Sequence, residues 1–266
     1  MARHIPGPLF FDQHGPSGMP MLFLHSTPDD HRLWMYQTAS FSSWYRTIAV
    51  DLAGYGRSPP AQKGMRVIDQ ADAAWEVVDQ VSSGKVIIHG NSMGSMVAMH
   101  MAHQQPDRVP CLILSGTGYL PSRDAMKVWA KRYADEGIDL RYKQCLDHFS
   151  PPAQKLPHVQ NYARMVCALN NPSTLGSIIA MNEALYTDPE PDSFFDELRM
   201  PTIVISGTAD RNHEAARELH RHIKGSTFKE IDGAGHAVMQ EAPWLYDRYS
   251  IEFIAKHGLW PGEMPT

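Results

Sequence analysis

An α/β fold, with a mostly parallel central sheet flanked by helices, is predicted for this chain by three observations. Short apolar runs bounded by polar residues or glycine alternate with segments of helical periodicity. The later runs are continuous rather than alternating, as in strands covered on both faces. Helical segments separate successive runs, the arrangement that builds a sheet with helices on either side.

In chain order, residues 9–11 and 21–24 form the first two strands, expected to neighbour each other around the turn-forming HGPSG. Residues 47–50, 86–88, 112–114, 203–205 and 227–231 supply the others. Helical patterning covers residues 65–81, 92–104, 215–223 and 242–256. In the last of these, Pro243 suits a first-turn position, and Leu245, Tyr249 and Phe253 recur every fourth residue. Gly258 can end that helix in a left-handed conformation and Pro261 prevents its resumption. From Tyr119 to Asp192 no buried strand is evident, and amphipathic segments are separated by Pro-rich breaks such as SPPAQKLP. The chain therefore divides into a first core part (1–118), a helical insertion (119–192) and a second core part (193–266).

Composition narrows the function classes. A hydrophobic fraction of 43% and a charged fraction of 20% are globular values, and no apolar stretch is long enough to span a membrane. The formal net charge of −5, with scattered Lys and Arg, offers no basic stripe for nucleic acid, so a small molecule is the expected partner. Cys111, Cys145 and Cys167 are too widely spaced for a metal or redox motif and read as reduced thiols. The N-terminal segment lacks the apolar core of a signal peptide, which gives a cytoplasmic expectation, as a monomer or homodimer.

The chemistry centres on Gly90-Asn91-Ser92-Met93-Gly94. A GxSxG pattern between an apolar strand and a helix is the setting in which a sharp turn lifts a serine hydroxyl above a sheet. Side chains at the flanking glycines would collide with the neighbouring strand and helix. A serine hydroxyl attacks poorly at neutral pH unless a histidine, itself held by a carboxylate, accepts its proton. His236 lies in the Gly-flanked loop after the last strand, and Asp210 ends ISGTAD after the preceding one. In open α/β sheets, sites gather beyond the carboxyl ends of the strands.

Five blocks, LFLHSTP (22–28), VDLAGYGRS (50–58), HGNSMG (89–94), ISGTAD (205–210) and GAGHAVMQEAPW (233–244), make the chain resemble the α/β-hydrolase fold superfamily over nearly its whole length. The resemblance implies Ser92 as nucleophile, Asp210 as orienting acid and His236 as general base. It also implies a helical cap between the sixth and seventh core strands, and an oxyanion hole from the backbone N–H groups of Met93 and Thr27. Relatives usually have His-Gly-X in the oxyanion loop where this chain has His25, Ser26 and Thr27. The Ser26 hydroxyl could supplement the hole or contact substrate, or the residue could act through conformation alone.

Other features carry weaker functional readings. Asp29, Asp30 and His31 suit a helix start better than a metal cluster. Asp51, Gly54, Gly56 and Ser58 read as turn chemistry, and Met93, Met96, Val97, His100 and Met101 as the buried face of a central helix. Trp129 and Tyr133, with Tyr142, Phe149 and Tyr162, are candidates to wall a pocket. Arg123, Arg132 and Arg164 could recognise a substrate carboxylate. The expected activity is a serine hydrolase acting on a small carboxylic ester or lactone through an acyl-enzyme, with no cofactor and no metal. In detail the insertion is similar to that of the 3-oxoadipate enol-lactonase and carboxylesterase group. The rivals are carbon-carbon bond hydrolysis, hydroxynitrile cleavage or perhydrolysis on the same residues, and a ligand-binding protein on a hydrolase scaffold.

Overall fold

The structure is a computed structural model that describes residue 5 and residues 7–118, 123–187 and 190–262. Tyr119, the expected start of the insertion, lies outside the described residues. The strands are β1 (Phe11–His14), β2 (Pro20–Leu24), β3 (Arg46–Val50), β4 (Ile87–Asn91), β5 (Leu112–Ser115), β6 (Thr202–Gly207) and β7 (Thr227–Ile231). The helices are α1 (Met35–Phe41), α2 (Val67–Val81), α3 (Met93–Gln104), α4 (Arg123–Glu136), α5 (Leu140–Leu146), α6 (Pro157–Cys167), α7 (Thr174–Thr187), α8 (Asp192–Asp196), α9 (His213–His222), α10 (Val238–Glu241) and α11 (Pro243–Lys256).

One seven-stranded sheet runs in the order β1-β3-β2-β4-β5-β6-β7, parallel except for β1. The expected pairing of the first two strands is not observed: β1 lies antiparallel to β3, with Phe11 opposite Val50. The intervening loop crosses the backbone just before β3. A side chain on Gly15 would lie 2.3 Å from the Tyr45 carbonyl oxygen, and one on Gly18 2.6 Å from that of Trp44. That passage carries β2 beyond β3 before it joins the sheet.

Strand side chains divide between two cores. Leu22, Leu24, Ile88, Leu112, Leu114 and Val204 pack on one face with α2, α3 and α9. Met21, Phe23, Ile87, Ile113, Ile203 and Ile205 pack on the other, against α1, α10 and α11. Both faces are dry, which is why these runs are apolar throughout. The helix α11 buries Tyr246, Ser250, Phe253 and Ile254, so its most buried stripe is rotated from the expected one; Leu245 and Tyr249 pack at its border. Gly258 ends the helix at φ +69°.

Helices α4 to α8 lie between β5 and β6. The resemblance counts that insertion as following a sixth strand; in the seven-stranded sheet seen here it follows the fifth. Its residues reach both cores: Tyr133, Ile178 and Met181 join one, Phe149, Tyr162 and Val166 the other. Among the described residues, no helix is long and apolar enough to cross a membrane.

Candidate active site

Between β4 and α3 the chain reverses at Ser92, which has φ 52° and ψ −116° and is the one non-glycine residue with positive φ among the described residues. Such strain persists where the surroundings fix it. Here a Cβ on Gly90 would approach the Gly94 carbonyl oxygen to 2.6 Å and the Ser95 Cα to 2.7 Å; one on Gly94 would lie 2.1 Å from the Leu24 carbonyl oxygen. The collisions expected from the motif therefore have named partners, the adjacent helix turn and the end of β2. The Ser92 N–H donates to the Ser115 carbonyl (2.8 Å), and the Ser92 carbonyl accepts from the Ser95 N–H (2.9 Å). Both bonds hold the turn.

Asp210 and His236 meet beyond the ends of β6 and β7. Nδ1 of His236 lies 3.0 and 3.1 Å from the two Asp210 carboxylate oxygens. Burial works against the Asp210 carboxylate, but the adjacent His236 and the Asn212 N–H outweigh it and hold its pKa below the usual range. With its Nδ1 turned to a carboxylate, the imidazole presents Nε2, which is buried and has no hydrogen-bond partner among the described residues. The backbone of His236 is tied to the serine turn, since Asn91 Nδ2 donates to its carbonyl (3.2 Å). Gly116 passes between them: a Cβ there would lie 2.5 Å from Asn91 Nδ2 and 3.1 Å from His236 Cε1.

A cavity of about 270 Å³ adjoins this meeting point. Ser92, Met93 and Thr27 line it together with Met96, Met126 and Trp129. The N–H of Met93 opens helix α3, where no helical carbonyl precedes it to accept. Thr27 is anchored through its Oγ1, which accepts from the buried Tyr55 hydroxyl (2.7 Å).

Ser26 is not at the cavity. It is fully buried, and its hydroxyl donates to Asp29 (2.5 Å), so it neither supplements an oxyanion hole nor contacts a cavity ligand through its side chain. Asp29 is the centre of a buried knot. It also accepts from His148 Nδ1 (2.9 Å) and the Tyr162 hydroxyl (2.9 Å), both from the insertion. Burial opposes the Asp29 charge, but His148 and the two hydroxyls prevail and hold the pKa at about 2. Burial also pushes the His148 pKa down, against the pull of Asp29, and its ring packs 4.7 Å from that of His236. Arg141, fully buried, donates from Nε to the Pro28 carbonyl (2.9 Å). The insertion thus grips the 26–29 segment at three points.

His25 completes this loop. Its Nε2 accepts the Leu52 N–H (2.9 Å), which leaves the proton on Nδ1 for the Ser26 carbonyl (2.8 Å). Asp51 accepts from the backbone N–H groups of His31 and Arg57 (both 2.8 Å), the turn role expected of it. Asp30, His31 and Asp51 are close enough to suggest a metal site. However, Arg32 clamps Asp30 (2.9 and 2.6 Å) and His31 Nδ1 lies 2.7 Å from Asp51. Their ligand atoms are already spent on one another.

Of the proposed pocket aromatics, Trp129 lines the cavity; Tyr133 does not, being fully buried with its hydroxyl donated to Gln144 (2.5 Å). Phe149 and Tyr162 pack on each other in the second core. Arg132 pairs with Glu136 (2.7 Å) and lies 4.7 Å from the Trp129 ring centre, and Arg164 bonds Asn161 (2.9 Å); neither lines the cavity, and the Arg123 side chain lies outside the described residues. Among the cavity residues that escaped sequence reasoning are Gln144, Arg211 and Asn212. Only the last two carried a signal, their position directly after Asp210.

A parallel sheet with a strained serine, an aspartate-held histidine and a cavity at the carboxyl ends of its strands defines the hydrolase class of α/β proteins. The family model for the alpha/beta hydrolase fold matches residues 19–243, and the chain belongs to that family. Epoxide hydrolase 1 of Caenorhabditis elegans is 25% identical over 94% of this chain and 68% of its own length. Among solved structures, the enol-lactonase from Burkholderia xenovorans superposes with a TM-score of 0.85 at 20% identity, over 94% of this chain and 98% of its own. A thermophilic esterase from Thermogutta terrifontis gives 0.83 at 24% identity, over 94% and 93%. These two likenesses are likenesses of fold.

Proposed function

We propose that this protein is a serine hydrolase that cleaves a small carboxylic ester or lactone. The observation that carries the reading is the buried, unpartnered Nε2 of His236, whose opposite nitrogen is held by Asp210, beside a cavity lined by Ser92. Helices α4 to α8 act as the cap over that cavity. Nε2 takes the Ser92 proton as Oγ attacks the substrate carbonyl. The tetrahedral oxyanion is received by the N–H groups of Met93 and Thr27; each such donor contributes about 3 kcal/mol to lowering the barrier. Collapse expels the alcohol, which takes the proton from His236 and leaves the acyl group on Ser92. Water, deprotonated by the same nitrogen, then adds to the acyl carbonyl and releases the acid. Asp210 stays ionised throughout and fixes the tautomer. A serine at position 92 separates this chemistry from reactions that begin with a carboxylate nucleophile.

A fluorophosphonate probe tests the reading. It should attach covalently to Ser92, with no labelling of Ser92→Ala, and short p-nitrophenyl esters should turn over several orders of magnitude more slowly in His236→Ala. A folded wild-type protein that takes no label and cleaves neither esters nor lactones would overturn it.

A further inference from the structure

Among the described residues lining the cavity, Arg211 is the one charged side chain, and no carboxylate is among them. Several other arginines are paired with carboxylates. Arg32 pairs with Asp30, Arg108 with Asp79 and Arg217 with Glu230, at 2.6 to 2.8 Å. Arg211 makes no hydrogen bond or ion pair with any described residue; its guanidinium lies 6.0 Å from the centre of the Trp129 ring, which also lines the cavity. A cation over an aromatic face keeps its donor fork free in its own plane.

A second cavity residue points to the same ligand chemistry. Gln144 is only 2% exposed, and its Oε1 is occupied by the Tyr133 hydroxyl at 2.5 Å. The amide nitrogen that remains is a pure donor, and none of the hydrogen bonds described for the cavity residues uses it. The third polar neighbour, Asn212, spends its own amide on the Gly116 carbonyl (3.1 Å). Around these groups the wall is apolar, from Met93, Met96, Met126 and Leu185. A site whose described lining offers a guanidinium, an amide donor and no acidic group complements an acceptor-rich anion. Its volume of about 270 Å³ suits a molecule of a few carbons rather than a lipid chain.

We infer that Arg211 receives a carboxylate on the substrate, with Gln144 donating to a second oxygen, so that the substrate is a short ester or lactone that itself bears a free acid. The planar fork of a guanidinium matches the two oxygens of a carboxylate. The identity of the reacting bond rests on the serine hydrolase reading above; the anion site does not.

The test compares mono-p-nitrophenyl glutarate with p-nitrophenyl valerate, which replaces the distal carboxylate by a methyl group. For the wild type, kcat/KM should favour the glutarate ester at least about tenfold, with the preference shrinking as salt is added. In Arg211→Gln the ratio of the two should fall towards one, Arg211→Lys should keep part of it, and Arg211→Glu should reverse it. A wild-type ratio near one, or a ratio that Arg211→Gln leaves unchanged, overturns the proposal. Calorimetric titration of Ser92→Ala with glutarate requires no turnover, and binding should disappear when Arg211→Gln is added. Glutarate binding without any esterase activity would remove the hydrolase reading and keep the anion site. Good esterase activity without charge preference would do the reverse.

Discussion

Two loops face each other across the cavity, and they are held by opposite means. The serine turn, residues 90–94, is fixed by exclusion: Gly90 and Gly94 leave no room for a Cβ, and the neighbouring backbones enforce the strained Ser92. The loop from His25 to Asp30 is fixed by attraction, through a buried carboxylate that gathers Ser26, His148 and Tyr162. Steric fixing is local and needs only neighbours in sequence. Ionic fixing recruits partners from far along the chain, and makes the loop depend on the insertion.

Substitutions should separate the two mechanisms. Gly94→Ala should be the most damaging: with a Cβ 2.1 Å from the Leu24 carbonyl oxygen, backbone rather than a side chain must move, and stability should fall by more than about 3 kcal/mol in denaturant unfolding. Asp29→Asn should cost about 3 kcal/mol, because one amide cannot accept from three buried donors, and kcat should drop at least about tenfold as Thr27 loosens. Its acid limb provides a sharper test. The folded pKa of Asp29 is depressed from 3.8 to about 2, so its contribution is complete above about pH 4 and is lost as the pH falls towards 2. Thermal scans of wild type and Asp29→Asn should therefore converge over that interval. Ser26→Gly, which restores the residue usual at that position, should be the mildest change, at about 1 kcal/mol for one lost hydroxyl bond and with kcat altered by no more than a few-fold. If Ser26→Gly matched Asp29→Asn in its effect on kcat, the knot would hinge on the serine rather than the carboxylate.

The contrast also explains what could be read in advance. Ser92 was legible because its constraints sit two residues to either side, within a motif. Asp210 and His236 were legible because each follows a strand, and parallel strands deliver their ends to one edge. The role of Asp29 was not, since its partners lie 119 and 133 residues away and nothing local distinguishes it from a helix-start acid. The bond from Ser26 to Asp29, which favours the conformational alternative for that residue, was hidden for the same reason. The pairing of β1 with β3 was hidden by a loop that, in sequence, resembles a hairpin turn. Arg211 carried no sign of its own beyond following Asp210; its place in a cavity whose described lining holds no carboxylate emerges only from the fold.

The grip of the insertion on Asp29 and Pro28 bears on how such enzymes can be rebuilt. Exchanging helices α4 to α8 for those of a relative would also remove His148, Tyr162 and Arg141 and leave a buried carboxylate stranded on the α/β core. A chimera would need Ser26 and Asp29 replaced in the same step, so the cavity wall and the 25–30 loop behave in this chain as a single transferable part.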